Sequence, residues 1–373
     1  MKCAGNWVSK LASESRWLCL TLGLVTVDSY ANEEAPKGSD HLQFSGYLET
    51  YYLHDFNESS VNRRPIFTYS HNQTEKPSIN LAMAKVAFKT NQLRANLALG
   101  SGSYMRANYA AEPSAFQNLF EANIGVKLLD SYDVWLDVGV MPSHIGFESA
   151  IGTENWTVTR SILADNSPYF ETGARLSYTS EDGKWYASGL LLNGWQRIQR
   201  PEGNTTPSLG HQLTYKPNAN ITLNSSSFVG NDKSDRHRKM RYFHHFYGQY
   251  QLNDYLSLIT GFDIGAEQNE RGSHKYNVWF TPIVVAKYTH SDRLSFAVRA
   301  EYYRDKDAVI VDAGTTDGFG MTSYSANMDL KLSKDITLKT ELRKYEGEDK
   351  YFVENNRASR DSLTATTALC VNF

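Results

Sequence analysis

Eleven ionisable residues recur at alternate positions within stretches that are otherwise apolar, polar-neutral or small: Glu49, Lys85, Arg94, Asp137, Glu171, Arg175, Asp263, Arg299, Glu301, Glu341 and Arg343. Carboxylates and cations so placed could transfer protons, hold a metal, or set an electric field along a solute path. The first two need convergent partners. The chain has no G-x-S-x-G elbow for an activated serine and no H-E-x-x-H pair for zinc. His244 and His245 are adjacent; neighbours on a strand point to opposite faces, so the two cannot share a metal. No catalytic residue, metal site or cofactor is expected, which leaves the field. Both signs are present, and a mixed lining predicts weak ion selectivity because no single-sign ring dominates. Arg175, Arg299 and Arg343 are expected to form a positive wall near Glu171, Glu301 and Glu341. Tyr47, Tyr51 and Trp135 share the polar face, where they could stack on sugars or simply pack.

The elements that position these residues are strands. Ala82, Ala84, Val86 and Phe88 alternate with Lys85 and Lys89. Leu294, Phe296, Val298, Ala300 and Tyr302 alternate with Ser295, Arg299 and Glu301. Ile336, Leu338, Thr340 and Leu342 alternate with Lys339, Glu341 and Arg343. Period-two patterning with one apolar face marks β-structure. Sixteen such strands are predicted, at 42–54, 79–90, 93–103, 119–128, 133–141, 169–179, 184–195, 209–216, 221–230, 242–252, 255–266, 277–288, 293–304, 319–332, 336–346 and 362–373. Their connections alternate, long then short. Each short one carries Asn or Asp (Asn91, Asp182 before Gly183, Asn253 with Asp254, Asp292, Asp335), residues that tolerate tight-turn backbone and bond their own main chain. An even strand count with short turns at one end and long loops at the other predicts an all-β fold, a transmembrane antiparallel up-and-down β-barrel with periplasmic turns and extracellular loops. Aromatic residues fall where belts at two water interfaces would lie: Tyr178, Trp185, Tyr215, Tyr250 and Tyr288 beside short turns, and Tyr52, Phe170 and Tyr302 near long loops.

Composition excludes the competing classes. In 373 residues, 38 Lys and Arg stand against 41 Asp and Glu, a net charge of -3, so no nucleic-acid partner is expected. A mean hydropathy of -0.49 is too polar for a bundle of membrane helices. An aromatic share of 13% argues against disorder. At the N-terminus, basic residues precede an apolar run from Trp17 to Val27 and a small-residue site ending at Ala31. Residues 1–31 therefore read as a cleaved secretory signal, followed by a short periplasmic segment at 32–41 and the barrel from 42 to 373. Cys3 and Cys19 would leave with the signal, and a lone Cys370 makes no intramolecular disulfide. The last strand ends on Phe373, an aromatic terminus of the kind that bacterial barrel-assembly machinery reads.

The run Gly139, Pro142, Ser143, Ile145, Gly146 and Glu148, with Arg160-Ser161, Pro168-Tyr169, Glu171 and Gly173, is distinctive. So are Asn193-Gly194-Trp195 and Arg299-Ala300-Glu301-Tyr302-Tyr303. In order and spacing these resemble the OmpL-like β-barrel porins of Gram-negative bacteria, over about residues 42 to 373. The resemblance implies an outer-membrane channel, brings no catalytic residue, and defines no solute.

A sixteen-strand barrel is wide enough for an aqueous channel. The segment 142–168 is unusually apolar for a surface loop, and such a loop tends to fold back. By analogy with general porins it is expected to enter the lumen and narrow it, with Pro142, Ser143, Ile145, Gly146, Phe147, Glu148, Trp156 and Arg160 as constriction candidates. Lys233, Arg236, His237, Arg238, Lys239 and Arg241 form a basic run that could attract anionic solutes or lipopolysaccharide phosphates. The reading is a porin for passive diffusion of small hydrophilic solutes and ions, not an enzyme. Outer-membrane lipid, lipopolysaccharide and the assembly machinery are its partners, and porins of this size are often homo-oligomers, as trimers. The alternative is a non-conducting structural or adhesive barrel that acts through its loops.

Overall fold

The computed structural model describes residues 41–57 and 61–373. The expected signal segment and residues 32–40 lie outside the described residues. Sixteen strands close into one antiparallel barrel. They are β1 (Leu42–Asp55), β2 (Ser78–Lys89), β3 (Leu93–Ser101), β4 (Leu119–Leu129), β5 (Asp133–Pro142), β6 (Phe170–Thr179), β7 (Trp185–Leu192), β8 (Ser208–Asn218), β9 (Ile221–Gly230), β10 (Arg241–Gln251), β11 (Leu256–Gln268), β12 (Tyr276–Thr289), β13 (Leu294–Asp305), β14 (Phe319–Lys331), β15 (Ile336–Gly347) and, after a small hairpin, β18 (Asp361–Asn372). Each pairs with its neighbours in the ring, and β1 pairs with β18 to close it, Leu48 opposite Val371. The seam ends in two main-chain bonds between Gly46 and Phe373, of 2.6 and 3.0 Å. Among the described residues no helix is long and apolar enough to cross a membrane.

The two faces are inverted relative to a water-soluble protein. Leu97, Leu99, Leu209, Phe262, Val298 and Leu342 are exposed on the outside, while Glu49, Arg299, Lys339, Glu341 and Arg343 are buried inside. A sheet that meets hydrocarbon must leave no main-chain group unpaired, and closure removes the edges. The short turns form as their residues dictate. Asp182 accepts from the Ser180 hydroxyl (2.6 Å) and the Lys184 amide (3.1 Å), with Gly183 at φ 67°. Asn253 accepts from the amides of Tyr255 and Leu256, both at 2.9 Å. Beside these turns Trp185 and Tyr215 stack at 4.1 Å on the outer face. At the other end Tyr52 and Tyr242 are exposed.

Three details differ from the sequence reading. Phe170 is buried and stacked on Tyr109 at 4.1 Å, so it belongs to the interior and not to an aromatic belt. It opens β6 three residues before Gly173, which pairs with Gly139 where the backbones crowd: a Cβ on Gly173 would lie 1.9 Å from the Leu191 carbonyl, and Gly139 sits at φ +132°. Strand β7 ends at Leu192, three residues early, because Asn193 turns to bond the Ile198 carbonyl (2.8 Å). The last long loop carries an unforeseen hairpin, β16 (Phe352–Glu354) and β17 (Arg357–Ser359). Its two-residue turn, Asn355-Asn356, has both φ angles positive, as a primed hairpin turn needs.

Candidate functional site

The segment 142–168 runs inside the ring. It leaves β5 at Pro142, and the Ser143 amide bonds the Tyr169 carbonyl at 3.0 Å. His144 Nδ1 meets Glu171 at 2.6 Å and its Nε2 meets the Ser227 carbonyl at 2.8 Å. Ile145 is buried among Leu190, Phe228 and Phe243. Gly146 turns the chain at φ +96°. Phe147 lies over His245, with Tyr247 5.7 Å away. Glu148 accepts from the Ser161 amide (3.0 Å) and hydroxyl, which brings the two ends of the inner excursion together. Trp156 sits beside the Lys287 ammonium. Arg160 is wholly buried and donates to the carbonyls of Ser149, Ala150 and Val158, so its guanidinium ties the segment to itself. Ser161 caps the short helix α2 (Ile162–Asp165) through the Ala164 amide, at 3.0 Å.

A segment inside a barrel has no sheet to pair its main chain, and buried amides and carbonyls must find partners elsewhere. Here the wall supplies them. The Thr159 amide and hydroxyl donate to Glu341 (2.6 and 2.7 Å), and the Ile162 amide donates to Glu301 (2.7 Å). Arg299 donates to the Thr159 carbonyl (2.8 Å) and Arg343 to the Arg160 carbonyl (2.7 Å). Lys339 reaches the Asn155 carbonyl (2.9 Å), and the Tyr47 hydroxyl accepts from Gly152 (2.8 Å). Among themselves the wall charges pair as Arg299–Glu341 (2.8 Å) and Arg343–Glu301.

This changes the expected lining. Arg299, Glu301, Glu341 and Arg343 are buried beneath the segment instead of facing open water. Glu49 is buried against His71 (2.9 Å) and Asn80 (2.8 Å), Asp263 against His245, and Glu171 against His144. Asp137 is buried too, held by Arg94 through two bonds of 2.7 and 2.6 Å and by Arg175 at 3.4 Å. Only Lys85, Arg94 and Arg175 of the candidates keep part of their side chains exposed. Arg175 therefore sits with Asp137 on β5 and β6, away from Arg299 and Arg343 on β13 and β15, and the three form no common positive wall. Tyr47 and Tyr51 are buried, with hydroxyls spent on the Gly152 and Gln73 amides, and Trp135 lies under the Arg94 guanidinium. Arg241 leaves the basic run by turning inward to Glu267 (2.6 Å), while Lys233, Arg236, His237 and Arg238 stay exposed. Phe373 stays exposed at the seam.

The sequence reading missed a second inward loop, between β1 and β2. Phe67, Ser70, His71, Asn72 and Thr74 are buried. Phe67 packs on Phe319, Tyr345 and Phe352, and Arg64 bonds the Tyr345 hydroxyl. The two loops hold each other: the Ser70 amide donates to Asp165 (3.2 Å), and Asn166 donates to the Phe67 carbonyl (3.1 Å). The loop is rich in polar residues, so no apolar excess marked it.

Burial pushes the Asp165 carboxyl up to about 7, against Arg64, Arg343 and Arg160 and the Ser70 amide, which all act to lower it. An acid whose folded value is raised keeps a proton that the released loop gives up. Because burial of the charged carboxyl is what costs, the docked state is fully stabilised below the ordinary aspartate value of 3.8 and loses that stabilisation as pH rises through about 7. Limited proteolysis of the 56–77 loop should accelerate across that window in the native chain, and the rise should vanish in Asp165→Asn.

Among the described residues, two open spaces bear on a solute route. One, of about 850 Å³, lies at the short-turn end beside Arg94, Lys127, Asp133 and Trp135. The other, of about 590 Å³, lies between the β1–β4 wall and the inserted segment, beside Lys85, Glu121, Phe147 and Tyr169. With the strands turned greasy side out and the charges turned in, the arrangement suits conduction of water-soluble matter along the axis.

Residues 41–373 match the model of a family described as putative beta-barrel porin-2, OmpL-like. No curated protein matches the chain. Among solved structures, the anion-selective porin from Comamonas acidovorans aligns with a TM-score of 0.57 and 10% identity, over 89% of this chain and 99% of that one. The outer membrane channel DcaP of Acinetobacter baumannii aligns at 0.55 and 11%, over 89% and 97%. The outer membrane protein OmpT of Vibrio cholerae, in its trimer form, aligns at 0.53 and 9%, over 89% and 99%. At these identities the likeness is one of fold.

Proposed function

The chain belongs to the OmpL-like family of putative beta-barrel porins, and from that premise we propose that it carries small hydrophilic solutes and ions across the outer membrane by passive diffusion. The observation that supports this most is the inversion of faces on a closed sixteen-strand ring, which a lipid-embedded, water-lined cylinder requires. The chemistry is positioning alone. The inserted segment sets the size limit, and Lys85, Arg94 and Arg175, the lining candidates that keep exposed surface, contribute to the local field. Lys85 pairs with Glu121, whereas Arg94 and Arg175 share the single Asp137, so both signs line the route with a small cationic excess, and weak ion selectivity follows. Export would use residues 1–31 as a cleaved signal, and the terminal Phe373 would serve recognition by the assembly machinery. The trimer form of one structural neighbour supports a homo-oligomer. Exposed Lys233, Arg236 and Arg238 suit lipopolysaccharide phosphates. Liposome swelling tests the reading: vesicles holding the purified protein should swell in small sugars at rates that fall with solute size. Rates equal to those of protein-free vesicles would leave the non-conducting structural or adhesive barrel in its place.

A further inference from the structure

The cavity of about 590 Å³ beside the inserted segment is built from more than packing residues. On one side Phe147 lies against β10 and β11, 5.7 Å from Tyr247. On the other, Tyr104 of α1 (Ser103–Asn108) approaches Tyr169 edge-on at 5.5 Å, and Phe120 of β4 completes that wall. All of these rings line the same space. Between the two walls stand polar groups with capacity to spare. The Lys85 ammonium bonds Glu121 at 2.6 Å and keeps further donors. Glu154 is exposed on the cavity rim.

The charges decide what such a space can hold. Lys85 is matched by Glu121, and Glu148 lies 3.7 Å from Arg299. No unmatched cation lines the cavity, so an anion would shed its hydration beside aromatic rings without compensation. A neutral ring-shaped polyol fits instead. Its flat C–H faces pack on aromatic faces, and its rim of hydroxyls meets the Lys85–Glu121 pair. The volume falls within the range of small-molecule sites. We propose that this cavity is a binding site for a neutral cyclic sugar, a mono- or disaccharide, held between the Phe147–Tyr247 wall and the Tyr104–Phe120–Tyr169 wall. The site deepens the diffusion-channel reading and rests on it only for the route by which the sugar arrives.

The test compares glucose with sorbitol, which carries similar hydroxyls but no fixed ring face and must be ordered to bind, and with glucosamine, a cationic ring. Calorimetric titration of the full chain in detergent micelles reads binding whether or not the barrel conducts. Ion-current block in a planar bilayer reads it in the lumen. Saturable glucose binding, weakened about tenfold in Phe147→Ala and retained in Phe147→Tyr, is expected, with sorbitol inert. Equal responses to glucose and sorbitol, or no heat with either, overturn the sugar site while leaving a conducting porin intact. Binding of glucosamine without glucose overturns it in favour of a cation site. Loss of conduction with glucose binding preserved would count against the porin reading alone. If Phe147→Ala fails to fold, Tyr247→Leu tests the same wall.

Discussion

Excising residues 149–160 and joining Glu148 to Ser161 through a short Gly-Ser linker should raise the single-channel conductance severalfold. The joint is feasible because Glu148 already bonds the Ser161 amide at 3.0 Å, so the excursion begins and ends at one place. The wall it leaves behind stays balanced, since Arg299 keeps Glu341 and Arg343 keeps Glu301. What disappears is a run of chain whose Val158 and Arg160 are wholly buried in the lumen, and water takes that volume. Conductance measured in the same salt before and after excision decides it. An unchanged current would mean that another part of the chain, with the 56–77 loop first in line, limits passage.

Arg343→Ala should cost about 3–5 kcal/mol of folding free energy, the range for removing one partner of a buried charged pair. Arg343 is nearly inaccessible and makes four kinds of contact: Ser323 (2.8 Å), the Thr159 hydroxyl (2.9 Å), the Arg160 carbonyl (2.7 Å) and Glu301. Its loss leaves the buried Glu301 with the more distant Arg299, at 3.5 Å, as its charged partner and frees the centre of the inserted segment. Urea unfolding in phospholipid vesicles measures the change. The neighbouring Lys344 is the control. It points outward, is about half exposed and pairs with Glu346 at the surface, so Lys344→Ala should change stability by less than about 1 kcal/mol. Equal losses in both variants would show that the luminal network does not hold the segment.

The sixteen strands were legible because a bilayer imposes a pattern that one strand can display alone. Leu294, Phe296 and Val298 must face hydrocarbon, and Ser295, Ala297 and Arg299 must not, whatever lies elsewhere in the chain. The short turns were legible for a similar reason, since Asp182-Gly183 and Asn253 satisfy their own main chain. The apolar content of 142–168 pointed inward on the same local logic. Partnership across the ring was not legible. That Glu341 would accept from Thr159, or that Glu49 would bond His71, depends on where distant segments meet once the ring closes. The 56–77 loop illustrates the limit. It is polar, so burial had no compositional sign, and His71, Arg64 and Ser70 find partners on β1, β15 and α2. Phe170 was misplaced because the ring that covers it, Tyr109, comes from a distant segment.

The central claim is a closed cylinder that keeps a water route beside its inserted segment. Recording from the purified protein in a planar lipid bilayer tests it most directly. Stepwise currents of uniform size, nearly equal for cations and anions and reduced by sugars too large to enter, are the predicted result. A barrel that inserts, stays folded and passes no current at any voltage would contradict it.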